Sequence, residues 1–186
     1  MLRLRDATFT SNGRILVPAT SVDLYPGAQY AHFCADAHEA RATAMLAAGL
    51  ARCTHGTVLI GEYDPSVQPV HCKRLAAFVP HDPLVMAHGQ FCRYIGYRAA
   101  LWNIDAAQAQ ADAKLLLQRF SALHEAFAYP LVAALLSSPR LLVLDRPQYA
   151  HAEIIREAAR ECAIFSTHID METATAYAAL CEEQHT

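Results

Sequence analysis

The chain has 186 residues, 54% of them hydrophobic and 18% charged, a balance that buries roughly 70% of the unfolded surface at this size and excludes a disordered chain. Fifteen Lys and Arg against eighteen Asp and Glu leave a formal charge of -3, so no basic field exists to gather nucleic acid or anionic lipid, and no nucleic-acid partner is expected. The length suits one domain over 1–186 with a small lobe and leaves little room for a second core.

In chain order, Leu2 and Leu4 alternate with Arg3 and Arg5, and Asn12-Gly13 supplies a turn before Ile15-Leu16-Val17, which predicts a β-hairpin. The opening MLRLRDATFT holds no continuous apolar run, so neither a signal peptide nor a membrane anchor is expected. After Pro26-Gly27 a buried strand is predicted over 28–35, then a helix over 39–50 with apolar Met45, Leu46 and Leu50. Strands follow over 57–60 and 75–79, the second ended by Pro80. From Phe91 to Phe120 the pattern is helical, with Asp105 as N-cap of the stretch up to Arg119, which places a helical lobe over about 84–122. Phe127, Leu131, Ala134 and Leu135 share one helix face, and with Pro130 in the first turn that helix should begin near Ala128. The longest strongly apolar stretch, 131–136, is far short of the ~20 residues of a membrane-spanning helix. A buried strand over 141–144, a helix over about 151–161, a strand over 163–165 and a C-terminal helix from near Asp170 complete the chain. Strands alternating with helices predict a largely parallel α/β sheet.

The six cysteines, Cys34, Cys53, Cys72, Cys92, Cys162 and Cys181, are spread evenly with no CxxC pair, which reads as reduced cytosolic thiols. Ten histidines, among them His71, His81 and His88, show no zinc-type spacing, so no metal site is expected. Phe91, Tyr94, Tyr97 and Trp102 lie in the helical lobe. They are expected to be a partner-binding face, and they can form a small local core of the lobe at the same time, since Tyr and Trp suit interfaces where one edge stays wet.

Residues 137–147 read SSPRLLVLDRP, and the later strand ends FSTHID. Together with the opening hairpin, GTVLIGEYD and AFVPHD, these segments resemble in order and spacing the ATP-binding cassette subunit of an ABC transporter, from Leu2 to about Ala178. The resemblance implies an α/β P-loop NTPase sheet with flanking helices, an N-terminal antiparallel hairpin and a reduced helical lobe. It places Asp145 at the Walker B aspartate and His168 at the switch histidine. It further implies dimerisation with itself or with another ABC ATPase, and docking of a membrane permease through the lobe, on the cytoplasmic side. The terminal strands usual in that family have no counterpart after the switch-histidine strand.

At the phosphate site the residues depart from the family. A Walker A loop uses glycines to bring backbone N–H groups onto the phosphates, a Lys for the β- and γ-phosphates and a Ser/Thr for Mg²⁺. The aligned stretch is Ala35-Asp36-Ala37-His38-Glu39-Ala40-Arg41-Ala42: the glycines are replaced at Ala35, His38 and Ala40, the lysine by Arg41 and the Mg²⁺ ligand by Ala42. Asp36 and Glu39 would set two carboxylates beside a triphosphate, a repulsion on the order of several kcal/mol in a partly buried site. The adenine-stacking aromatic falls near Ser11, with Phe9 two residues earlier, and the Q-loop glutamine is His81. Arg146 stands where the catalytic glutamate would be, and a guanidinium is no general base. The signature falls on Ser121-Ala122-Leu123-His124-Glu125 without its paired glycines, and the D-loop reads Gln148-Tyr149-Ala150-His151-Ala152.

The expectation is a catalytically inactive ABC-ATPase-like subunit, a pseudo-ATPase with no cofactor and no metal, serving as a structural or regulatory partner in an ABC-type transport or secretion assembly. Asp145 and His168 are then vestigial; Asp145 satisfies nearby backbone N–H groups or pairs with Arg41 or Arg146, and His168 is a hydrogen-bonded strand-end histidine. The alternative is a residual ATP-hydrolysing subunit that needs an active partner chain.

Overall fold

The computed structural model describes residues 1–82, 86–121, 123–148, 155 and 162–182. Apart from Ile155, the helix expected over 151–161 lies outside the described residues, as do most of the D-loop stretch and Ala122. The chain divides into two compact units, Met1–His81 with Pro139–Thr186, and Asp82–Ser138.

The first unit holds two sheets. β1 (Leu2–Ser11) and β2 (Arg14–Leu24) form the predicted antiparallel hairpin. Its turn has Asn12 at φ 50° and Gly13 at φ 75°, the left-handed pair that matches strand twist. β4 (His55–Ile60) pairs antiparallel with the other side of β1, so the order is β2-β1-β4. Between the pairs Ala7↔Thr20 and Phe9↔Val17, Thr8 of β1 stands against both Pro18 and Ala19 of β2. A bulge of this kind accepts a proline, which has no N–H for the ladder.

The second sheet is parallel, in the order β3-β7-β6-β5, from β3 (Gln29–Phe33), β7 (Ala163–His168), β6 (Leu141–Asp145) and β5 (Ala76–Val79). Every residue of β6 and β7 is buried, as interior strands covered on both faces require. β3 is instead an edge strand with Tyr30 and Phe33 exposed, which corrects the expectation of a buried strand over 28–35. Its apolar residues come from lying at a sheet border and not from being enclosed. α1 (Ala37–Ala47) packs on β6 and β7 and shares a core with the first sheet: Ala44, Leu46 and Ala47 meet Leu2, Leu4, Ile60, Val143 and Phe165.

α2 (Pro69–Leu75) runs directly into β5. It has no counterpart in the periodicity, because seven residues are too few to display one; its only local mark is Pro69 in the first turn, where a missing N–H is harmless. α6 (Met171–Glu182) packs on β3, N-capped by Asp170, whose Oδ2 accepts from Thr173 N at 2.8 Å.

The second unit contains α3 (His88–Trp102), α4 (Ala106–Arg119) and α5 (Glu125–Leu135). Asp105 caps α4 as expected, its Oδ1 accepting from Gln108 N at 2.8 Å. α5 begins before Ala128, so Pro130 sits in the helix interior and not in the first turn. An interior proline forfeits one main-chain bond and costs ~3 kcal/mol. Burial of Ala128, Tyr129, Leu131, Val132, Ala133 and Ala134 around it offsets that cost. Among the described residues no helix is long and apolar enough to cross a membrane.

Candidate functional site

The junction of β3 and α1 occupies the place of the aligned phosphate loop. The N–H of Cys34 donates to the His168 carbonyl at 2.7 Å, extending the β3–β7 ladder by one residue. α1 then begins at Ala37, so six of the eight aligned residues, 37–42, are helical. Asp36 is the N-cap, extended at φ -150° and ψ 173°. Its Oδ1 accepts from the N–H groups of His38 at 2.8 Å and Glu39 at 2.9 Å. Bonds from these N–H groups, the Glu39 N–H foremost, hold the Asp36 carboxyl below the usual carboxylate range. Glu39 reaches back, its Oε2 accepting from Ala35 N at 3.1 Å. The arrangement is a capping box shifted one residue outward. The donors of Ala35, His38 and Glu39 are thereby filled by the chain's own carboxylates. Ala40 and Ala42 are buried in the helix, while His38 and Arg41 point to solvent.

At the end of β6, Asp145 is buried and Arg146 takes a left-handed turn at φ 48°. The turn brings the guanidinium back onto the carboxylate: Nε donates to Oδ1 at 2.8 Å and Nη2 to Oδ2 at 3.3 Å. Of the partners considered for Asp145, the structure supplies Arg146. The Arg146 backbone is pinned as well, its N–H donating to the Thr167 carbonyl at 3.0 Å and its carbonyl lying 3.0 Å from His81 Nδ1.

Asp145 and His168 are not brought together. Register pairs Asp145 with Thr167, and alternation along the strands therefore sets both on the face that carries Val143 and Phe165 toward α1. His168 lies on the opposite face. Its Nε2 is 2.8 Å from Ser166 Oγ, and its ring rests against Tyr177 of α6 with centroids 4.8 Å apart. Burial pushes its pKa down to about 4, so the imidazole is neutral at pH 7 and is packed as a core side chain.

The sequence reading misses one group of residues. His32, Cys34 and Glu39 bring their donor atoms within 4.8 Å of one another. Cys34 is buried, and burial, reinforced by the Glu39 charge, pushes its thiol up to about 12; burial also lowers the pKa of His32. The signal was present as His-x-Cys, which strand alternation turns to one face, followed by an acid in the first turn of the next helix.

In the second unit the expected partner-binding aromatics divide. Phe91 is 1% exposed and stacks on Tyr129 with centroids 4.2 Å apart, on the same helix face as buried Ile95 and Ala99. Phe91 therefore belongs to this unit's own core, which corrects its place on the expected contact face. Tyr94, Tyr97 and Leu101, spaced i, i+3 and i+7, form an exposed stripe along α3, and Trp102 is half-buried.

No family model matches the chain, and no curated protein matches it. Solved structures do. An ATP-binding subunit of an ABC transporter is 20% identical with a TM-score of 0.75, over 95% of this chain and 82% of that one. CbiO1 from Clostridium perfringens, described as part of the ABC transporter complex cbiONQ, is 14% identical with a TM-score of 0.74, over 95% and 81%. The ATP-binding cassette MJ0796, a dimer in a post-hydrolysis state bound to ADP and Pi, is 13% identical with a TM-score of 0.68, over 95% and 91%. At these identities the likeness is one of architecture, and with the hairpin, parallel sheet and helical unit described above it establishes that the chain has the fold of the ATP-binding subunits of ABC transporters.

Proposed function

We propose that this chain is a catalytically inactive ABC-ATPase-like subunit, a structural or regulatory partner in an ABC-type transport or secretion assembly on the cytoplasmic side of the membrane. The observation that carries this reading is the start of α1, where Asp36 and Glu39 occupy the N–H donors of Ala35, His38 and Glu39. A nucleotide phosphate would have to displace two carboxylates and then sit beside them. The fork of Arg146 on Asp145 supports the same conclusion, because both carboxylate oxygens that would face Mg²⁺ already hold N–H donors.

Mg-ATP in large excess is therefore expected to leave the melting temperature unchanged. A ligand at 100 times its dissociation constant stabilises a native state by ~2.7 kcal/mol, a shift that melting resolves easily. A dose-dependent rise with Mg-ATP or Mg-ADP overturns the reading.

The neighbours described as a dimer and as part of a transporter complex support association with a second cassette, of this chain or another ABC ATPase, and with a membrane permease. The contact we propose on this chain is the α3 stripe of Tyr94 and Tyr97, with Trp102 at its end. Truncating an aromatic anchor in an interface removes ~2 kcal/mol or more, roughly a thirtyfold loss of affinity. Tyr97→Ala is expected to lose that much in pull-down against the co-purified complex, and Arg41→Ala none. Normal binding by a folded Tyr97→Ala protein alongside loss in Arg41→Ala would move the contact to the β3–α1 junction.

A further inference from the structure

The inactive-subunit reading gives no role to His32 and Cys34 at the β3–α1 junction. His32 and Cys34 are two residues apart on one extended segment, since the Cys34 N–H continues the ladder to the His168 carbonyl, and alternation turns both to the α1 face. Glu39, in the first turn of α1, is brought to the same place by the Asp36 cap and by its own bond to Ala35 N. Imidazole nitrogen, thiol sulfur and carboxylate oxygen then lie within 4.8 Å of one another. The His32 ring is already oriented, stacked on Phe165 with centroids 6.1 Å apart and planes at 24°.

Nitrogen, sulfur and oxygen in one set favour a borderline-soft divalent ion over Mg²⁺ or Ca²⁺, which prefer oxygen alone. With metal-ligand bonds of about 2.0–2.3 Å, a tetrahedral ion holds its ligand atoms roughly 3.4–3.6 Å apart. The most widely spaced donors, at up to 4.8 Å, must therefore close by about 1.2–1.4 Å. His32 and Glu39 are half-buried and not enclosed, and Glu39 can ligate through one oxygen while the other keeps the Ala35 N–H, as metal-bound carboxylates commonly do.

The surroundings point the same way. On the same sheet face Thr167, the register partner of His32, is fully buried with an Oγ1 that has no hydrogen-bond partner among the described residues. A buried hydroxyl of this kind calls for an explanation, and a polar species bound beside it is one.

We propose that His32, Cys34 and Glu39 bind one zinc-class divalent ion at the β3–α1 junction. On binding, the Cys34 S–H proton leaves to solvent and a metal–sulfur bond forms, so that thiolate and carboxylate together balance the two charges of the ion. Three protein ligands leave a fourth position open to water or to a group from a partner. The inference is independent of whether the subunit binds ATP.

The test is titration of the full purified chain, metal-stripped, with Co²⁺ as spectroscopic probe and Zn²⁺ as competitor. One equivalent of Co²⁺ is expected to give a thiolate-to-cobalt charge-transfer band in the near ultraviolet, which Zn²⁺ abolishes. Cys34→Ala should remove the band, and Cys53→Ala should leave it. His32→Gln and Glu39→Gln, at half-buried positions that tolerate polar replacement, should each weaken binding at least about tenfold, and they decide the matter if Cys34→Ala does not fold. Absence of the band in the native chain, its survival in folded Cys34→Ala, or unchanged affinity in both His32→Gln and Glu39→Gln overturns the proposal. None of these outcomes depends on Mg-ATP melting, so the two readings fail separately.

Discussion

Arg146→Ala is expected to destabilise the folded chain by about 3–5 kcal/mol, the usual penalty for stranding one member of a buried ion pair. The Asp145 side chain is 0% exposed and that of Arg146 only 14%, with Nε and Oδ1 2.8 Å apart, so little water can replace the lost guanidinium. Alanine relieves none of the left-handed strain at φ 48°, because its Cβ meets the same carbonyl. At this chain length the loss corresponds to a fall in Tm of about 6–20 °C. Asp145→Asn in the same background removes the stranded charge and should recover most of the stability, giving a coupling energy above about 2 kcal/mol in a double-mutant cycle read by urea denaturation. A cost below about 1 kcal/mol for Arg146→Ala would mean that Asp145 finds another donor, contrary to the forked geometry.

Gly56→Ala should cost about 2–5 kcal/mol, the sum of a left-handed backbone penalty and an overpacked contact. Gly56 has φ +78°, and a Cβ there would lie 2.2 Å from the Asp6 carbonyl oxygen and 2.3 Å from that of Arg5. Both are main-chain atoms of β1, at the irregularity between Arg5 and Thr8 in its pairing with β4. Asp6 itself is left-handed at φ 44°, so the strand has no easy way to yield. Gly13 supplies the comparison: φ is +75°, yet nothing stands within 4 Å of an added Cβ, and Gly13→Ala should lose only about 1–2 kcal/mol. Equal urea midpoints for the two variants would show that β1 shifts freely.

Elements with a local chemical cause were legible in the sequence. Asn12-Gly13 dictates its turn, Asp105 its cap, and the unbroken apolar run before Asp145 an interior strand. Features decided by tertiary surroundings were not. The apolar residues of β3 look the same whether the strand is central or at an edge, and Pro130 is tolerated inside α5 only because its neighbours are buried. At the site, Asp36 and Glu39 were legible as charges opposed to phosphate, whereas their bonds to the backbone N–H groups of 35, 38 and 39 depend on where α1 begins. His32 and Cys34 read as strand residues, and only the placement of α1 adds Glu39 to them. The opposite faces of Asp145 and His168 likewise follow from the β6–β7 register, which no single segment encodes.

The self-capped start of α1 also bears on signalling. A ligand shifts a conformational equilibrium only by its unequal affinity for two states. A loop with free donors has two such states, unfilled and clasped around an anion, and the difference between them is what a transporter can convert into motion. Here Asp36 and Glu39 fill the donors, so on the reading proposed above phosphate has no unfilled state to act on. In an assembly that cycles, this half of the machinery would be the stationary reference against which a partner moves.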